Sequence, residues 1–166
     1  MQIQIENLFK TLKSEADFVA FKTVTEKTRD LSVRNGRPDD LAVHIDCGLT
    51  IEIMVDGHIG YGATCEITES GIQRAFKQAK AMTVASSKIP VHRFDLTVRP
   101  ASQGSFTSAR QKSLDQISIS EIYDFLKKTS SKLKVNDKII SAVSDAMVIE
   151  TEQNYISSVG SDFQQN

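Results

Sequence analysis

The sequence predicts an α+β fold: a mostly antiparallel sheet with two long helices and a short N-terminal helix. Three observations carry that prediction. Asn35-Gly36 and Asp56-Gly57 each separate strand-like stretches, and both dipeptides tolerate the positive φ angles of a tight hairpin turn. Residues 69–86 and 118–134 switch to a helical period and start with capping residues. Hairpins adjoin one another, with helices inserted between groups of strands, which distinguishes α+β from alternating βαβ units.

In chain order, Ile5, Leu8, Phe9 and Leu12 share one face of a short helix. From Asp17 the pattern becomes strand-like, through Phe18, Ala20 and the β-branched Thr23, Val24, Thr25 and Thr28 to Leu31 and Val33. Asn35-Gly36 closes that strand, and Pro38-Asp39-Asp40 extends the turn into a short loop before a strand at Ala42 to Asp46. Gly48 suits a bulge. Ile51, Ile53 and Val55 then alternate with Thr50, Glu52 and Met54, giving a strand with two different faces. If Asp56-Gly57 is a two-residue loop, Val55 faces His58, Met54 faces Ile59, and Ile53 and Ile51 stand beside Gly60 and Gly62. Two glycines on an otherwise apolar face leave a seat for a packed helix, or less plausibly for a peptide backbone.

That helix is expected over Glu69 to Ser86, capped by Thr68, with Ile72, Ala75, Phe76, Ala79 and Met82 as its apolar stripe. Pro90 breaks the pattern. Phe94, Leu96 and Val98 alternate with polar residues, which predicts a further strand ending at Pro100. Residues 101–116 read as a long polar loop. Ser118 and Glu121 form a capping box, with Ile117 and Ile122 as its staple and Ile122, Phe125, Leu126 and Leu133 as the buried face. The lysines at 127, 128, 132 and 134 suit a solvated helix end better than a binding patch. Ile140 to Ile149 is the most continuous apolar run, hence a central strand, and another strand starts at Tyr155. The turn at Ser158 to Ser161 leads into residues 162–166, which complete no obvious hairpin and read as an interruption.

The 166 residues suffice for one domain with a real core, and a single domain over 1–166 is expected. A formal net charge of -1 gives no electrostatic reason for a nucleic-acid partner or an anionic membrane surface. No apolar run reaches a membrane span, the N-terminus lacks the pattern of a signal peptide, and two cysteines make no disulfide framework, so a cytoplasmic protein is expected.

No catalytic, cofactor-binding or metal-binding residue can be named. His44, His58 and His92 have no Glu or second His at metal-ligand spacing, and His58 reads as a surface residue flanking a turn. Cys47 and Cys65 read as small buried residues. The acids at 39, 40, 66 and 69 are explained by turns and caps, and nucleophile-elbow, dinucleotide and P-loop motifs are absent.

The order of these elements nevertheless resembles one family. Ala16-Asp17-Phe18, Leu31 to Gly36, Gly48-Leu49-Thr50, Val55-Asp56-Gly57 and Gly60 to Thr64, followed by the long helix, resemble the N-terminal region of the TldD/PmbA proteins. Tyr155 to Ser161 is similar to that family's F-V-x-S-x-G-S element, while residues 91–118 match poorly. The resemblance implies the N-terminal domain of a protein often called a modulator of DNA gyrase and belonging to a zinc metallopeptidase family that processes peptide precursors and degrades antitoxins. The family's H-E-x-x-x-H motif lies downstream, so the resemblance places zinc, as cofactor, in a catalytic C-terminal domain outside this chain. It also implies as partners that catalytic domain, a second family subunit, and a peptide or unfolded protein substrate. The leading expectation is a non-catalytic domain that helps to enclose substrate or to assemble a dimer. A stand-alone protein-interaction module without peptidase activity is the alternative, and a DNA-binding role is disfavoured by the charge.

Overall fold

Two described residues other than glycine take positive φ, Asn35 at 51° and Asp56 at 52°, and each is followed by a glycine at 77° or 75°. Both turn dipeptides therefore adopt the geometry that matches the twist of a hairpin. The computed structural model describes residues 2–89, 92–113 and 116–166. The break expected at Pro90 lies outside them.

The elements in order are α1 (Gln2–Leu12), β1 (Phe18–Arg34), β2 (Arg37–Val55), β3 (His58–Thr64), α2 (Glu69–Ser87), a 3-10 turn (Leu96–Val98), β4 (Gln103–Phe106), α3 (Ile119–Leu133), β5 (Val143–Ser157) and β6 (Asp162–Gln165). The six strands form one sheet in the order β3-β2-β1-β5-β6-β4. The β2–β3 and β5–β6 pairs are antiparallel and β4–β6 is parallel. The class is α+β, as the sequence predicts.

The chain divides into two compact units, and the long strands β1, β2 and β5 run through both. The first comprises residues 1–25, 47–107 and 152–166. Period-2 alternation sorts its core onto two faces. Val19, Phe21, Leu49, Ile51 and Ile53 meet Ile5, Phe9 and Leu12 of α1 and Ile72, Ala75, Phe76 and Ala79 of α2. The Phe9 and Phe21 rings pack edge to face at 5.2 Å. Intervening residues Phe18, Ala20 and Met54 form a second cluster on the opposite face, with Ile59, Tyr155 and Val159 against it.

The β2–β3 register is the one read from the sequence: Val55 opposite His58, Met54 opposite Ile59, Ile53 opposite Gly60 and Ile51 opposite Gly62. The glycines seat α2. A β-carbon on Gly60 would come within 2.9 Å of the Thr83 amide nitrogen, and one on Gly62 within 2.7 Å of the Ala75 carbonyl carbon. Thr68 caps α2 by accepting from the Gly71 amide at 3.1 Å.

The second unit comprises residues 26–46 and 108–151. Leu31 and Val33 of β1 pack on Leu126 of α3, flanked by Ile122, Tyr123 and Ala146. The Ser118–Glu121 capping box is formed in both directions. Asn35 ties the β1–β2 turn to the segment before β5: its side chain accepts from the Ala142 amide at 2.9 Å and donates to the Ile140 carbonyl at 3.2 Å. The buried Ser130 hydroxyl accepts from the Gly36 amide and donates to the Ala142 carbonyl.

Several local expectations are corrected. The strand read at Phe94 to Val98 is a 3-10 turn, because Asp95 turns its carboxylate onto the Thr97 amide at 2.8 Å while the Phe94 amide donates to the Gly57 carbonyl. Within the expected loop 101–116, Gln103–Phe106 is a strand. Residues 162–166 do complete a hairpin, with Tyr155 opposite Phe163. Pro38-Asp39-Asp40 belongs to β2 rather than to a loop, since its end lies where a missing ladder donor is tolerated. The segment at Tyr155 continues β5 instead of starting a new strand. Met82, Phe125 and Leu133 are exposed, and Thr83 and Ser130 take the buried helix positions instead.

Candidate functional site

A recess of about 540 Å³ lies within the first unit, beside α1. Helix α1 buries Ile5 and Phe9 in the core and brings Glu6 and Lys10 to the recess, and Lys13, just past its last residue, lines it too. Phe21, Thr23 and Thr25 of β1 supply floor, joined by Cys47 of β2. The facing wall carries Glu152, Asn154 and Ile156 of β5, Gln103 of β4 and the Ser157–Asp162 segment. That wall is held by its own backbone: the Ser157 amide donates to the Ser161 carbonyl at 3.0 Å, and the Asp162 amide to the Ser102 carbonyl at 3.0 Å. Gln103 adds a bond to the Gly160 carbonyl at 3.1 Å. Lys10 and Lys13 thus line the recess with Glu6 on the α1 side, and carboxylates, amides and hydroxyls come from the strands, with a partly apolar floor. Such a cleft can hold a polar, extended chain by its main-chain groups. Beyond it β4 is an edge strand, and all four of its residues are exposed.

A second recess, of about 440 Å³, lies in the same unit and is lined by Phe18, Arg99, Pro100, Ser102, Tyr155, Val159, Ser161 and Phe163. Its charge is already paired. Arg99 donates to Glu52, whose side chain is 14% exposed, and the guanidinium lies 5.8 Å from the centre of the Phe18 ring. Burial raises the Glu52 carboxyl above its ordinary value, an effect that Arg99 partly offsets. Burial, and then the Glu52 charge, push the Tyr155 phenol upward in turn.

Residues singled out from the sequence do not converge on either recess, apart from Cys47. His44 and His92 are exposed, and His92 meets Phe94 edge to face at 4.9 Å. His58, expected at the surface, is buried at 4% exposure. It stands opposite Val55, next to Gly57, whose carbonyl accepts from the Phe94 amide. Cys65 is exposed and Cys47 half-buried, against the expectation that both are buried. Cys65 follows the last residue of β3, and Cys47 lies at the cleft, accepting from the Thr25 hydroxyl at 3.5 Å. Among the described residues no three of His, Cys, Asp and Glu stand where they could share a metal ion. The donor set therefore does not fit a catalytic zinc, and no chemical step is assigned through one.

The sequence pointed past the residues that do line the recesses. Lys10 and Lys13 lie among or next to the α1 residues that the apolar stripe leaves unassigned. Arg99 was assigned to the polar face of a strand that is a turn. One signal was available: Glu52 is a single charge in the otherwise neutral run from Cys47 to Val55, and a buried charge requires a partner.

Comparison with known proteins bears on the fold. Residues 24–83 match the family model described as PmbA/TldA metallopeptidase domain 1. That match covers 60 of the 166 residues and supports the resemblance to an N-terminal TldD/PmbA domain. Among solved structures, a candidate modulator of a DNA gyrase from Thermotoga maritima superposes with a TM-score of 0.71 at 14% identity, covering 98% of this chain and 36% of the other. TldE from Thermococcus kodakarensis gives 0.69 at 18% identity, with 98% and 36% covered. A candidate modulator of DNA gyrase from Bacteroides thetaiotaomicron gives 0.65 at 14% identity, with 96% and 38% covered. The chain thus spans somewhat more than a third of the length of these structures. No curated protein matches it. No helix among the described residues is long and apolar enough to cross a membrane.

Proposed function

We propose that this chain is the non-catalytic N-terminal domain of a TldD/PmbA-type metallopeptidase, and that the cleft beside α1 helps to enclose an extended peptide while a separate domain supplies zinc and hydrolysis. The match of residues 24–83 to domain 1 of that family carries the proposal. The cleft supports it physically, because it is lined by both donors and acceptors and lies next to an exposed sheet edge.

The test uses this chain itself. It is expected to bind flexible casein-derived peptides weakly, to leave them intact, and to retain negligible zinc by elemental analysis. Reversing the cleft cations (Lys10→Glu with Lys13→Glu) is expected to weaken binding several-fold without changing the circular dichroism spectrum. Stoichiometric tightly held zinc together with peptide hydrolysis by this chain would overturn the proposal, as would binding indifferent to the reversal.

One observation favours a second reading, in which the domain contributes to subunit assembly. Leu41, Val43 and Ile45 alternate along β2 and stand 45%, 50% and 68% exposed. An apolar strip of this kind marks a protein contact. It predicts concentration-dependent association in light scattering that Val43→Lys abolishes.

A further inference from the structure

The recess over Phe18 has a different chemistry from the cleft beside α1. Three rings (Phe18, Tyr155 and Phe163) form its walls, and Val159 and Pro100 add aliphatic surface. Period-2 alternation puts Phe18 on the sheet face opposite Val19 and Phe21, so the recess is backed by the small Phe18–Ala20–Met54 cluster and not by the main core. Phe163 stands over β4 beside Gly104: a β-carbon on that glycine would meet the ring at 3.8 Å. On the other side Ser161 accepts from the Ser102 amide at 3.3 Å, fixing the 99–102 segment against the turn before β6.

Charge decides the ligand. Among the described residues Arg99 is the one cation that lines the recess, and it is paired with Glu52, whose carboxylate is largely withdrawn from water. An incoming anion would make a second carboxylate around a single guanidinium in a half-buried site, and an incoming cation would oppose Arg99. Both would be desolvated without a compensating partner. A neutral planar group avoids both costs. It can pack against the three rings in offset or edge-to-face geometry and offer its face to Arg99, as Phe18 already does at 5.8 Å.

We propose that this recess is a binding site for the uncharged aromatic side chain of a peptide or protein segment. It shares Ser161 with the cleft beside α1 but does not depend on the role proposed for that cleft. Its volume of about 440 Å³ falls within the range of about 300–1,000 Å³ that ligand pockets occupy and accommodates an indole.

The chain contains no tryptophan, so an indole probe can be followed by its own fluorescence. N-acetyl-tryptophanamide titrated with the intact chain is expected to show a blue-shifted emission and to bind at least tenfold more tightly than N-acetyl-alaninamide displaces it. The anionic N-acetyl-tryptophan is expected to bind no more tightly than the amide. Val159→Trp cannot serve as the plug, since it would add a fluorophore, so Val159→Phe fills the recess and Phe163→Ala removes one wall. Each is expected to weaken the probe at least threefold, and a thermal melt by circular dichroism confirms that each variant is folded. Equal affinity for the indole and alanine probes overturns the proposal. So does a tenfold preference for the anionic probe, which would make Arg99 an anion site. Undiminished binding by a folded Phe163→Ala protein overturns it as well, even if Val159→Phe does not fold.

Discussion

Gly62 of β3 lies against the backbone of Ala75 on α2 with no space between them for a side chain: a β-carbon there would stand 2.7 Å from the Ala75 carbonyl carbon. The obstacle is main chain inside a helix, which cannot rotate away as a side chain can. Gly62→Ala must therefore lift α2 from the sheet and loosen Ile72 and Phe76 from the core they share with Ile51. Overpacking a core costs about 1–3 kcal/mol, and a backbone obstacle belongs at the upper end of that range or above. Urea unfolding followed by circular dichroism should show a loss of about 3 kcal/mol or more. Gly36→Ala is the contrast, since nothing lies within 4 Å of that position and its cost comes from a φ of 77° alone. It should lose only about 1 kcal/mol.

Glu52 provides a pH-dependent test. Burial is the largest influence on its carboxyl and raises it above 4.5, outweighing the pairing with Arg99. A carboxyl whose value is raised by folding favours the native state in its protonated form. That contribution is fully present below the unfolded value of about 4.5 and is lost as pH rises through the raised folded value. Glu52→Gln resembles the protonated form at every pH. The variant should match the wild type near pH 4 and become the more stable of the two as pH rises toward 7, in urea titrations run across that range. If the wild type gains on the variant instead, the Arg99 pairing outweighs the burial.

Ser118 offers a smaller, local effect. Its hydroxyl accepts from the Glu121 amide at 3.2 Å, and its own amide donates to the Glu121 carboxylate at 2.8 Å, which holds that carboxyl below its ordinary value. Ser118→Ala removes an N-cap and should cost about 1 kcal/mol. The readout is hydrogen exchange: amides in the first turn of α3 should exchange faster, while those of Leu126 and beyond change only as global stability does. Uniform acceleration along the helix would show that the cap acts on the whole fold rather than on the helix start.

Features written in short-range chemistry were legible in the sequence. Asn35-Gly36 and Asp56-Gly57 fix a turn by local φ preference, and a two-residue loop fixes register, so the partners of Ile51 and Ile53 could be named in advance. The seat for α2 followed from that register. What failed had two causes, one a local competition for the backbone and one a pairing distant in the chain. Phe94, Leu96 and Val98 have the alternation of a strand, but the Asp95 carboxylate competes for the backbone and makes a turn. Residues 103–106 have no strand-like period, yet they pair with residues 162–165, an association that nothing local encodes. The recesses are harder still, because each collects side chains from four or more separate segments whose surface positions look alike in sequence.

Asn35 joins both kinds of information. As the first turn residue it accepts φ of 51°, and through its carboxamide it bonds the Ala142 amide and the Ile140 carbonyl, more than a hundred residues away. Three substitutions separate these roles. Asn35→Gly keeps the turn and loses two side-chain bonds, each contributing about 0.5–1.5 kcal/mol. Asn35→Ala loses the same bonds and must also hold a β-carbon at positive φ, which adds about 1 kcal/mol. Asn35→Asp keeps the acceptor for Ala142 but sets a carboxylate against the Ile140 carbonyl. Stability by urea unfolding should therefore fall in the order wild type, Gly, Ala, with Gly about 1–3 kcal/mol below wild type. The Ala142 amide should exchange faster in the Gly and Ala proteins and keep its protection in the Asp protein. If the Gly protein matched the wild type, the link to 140–142 would contribute nothing net. If Ala matched Gly, the turn would not need a residue that tolerates positive φ.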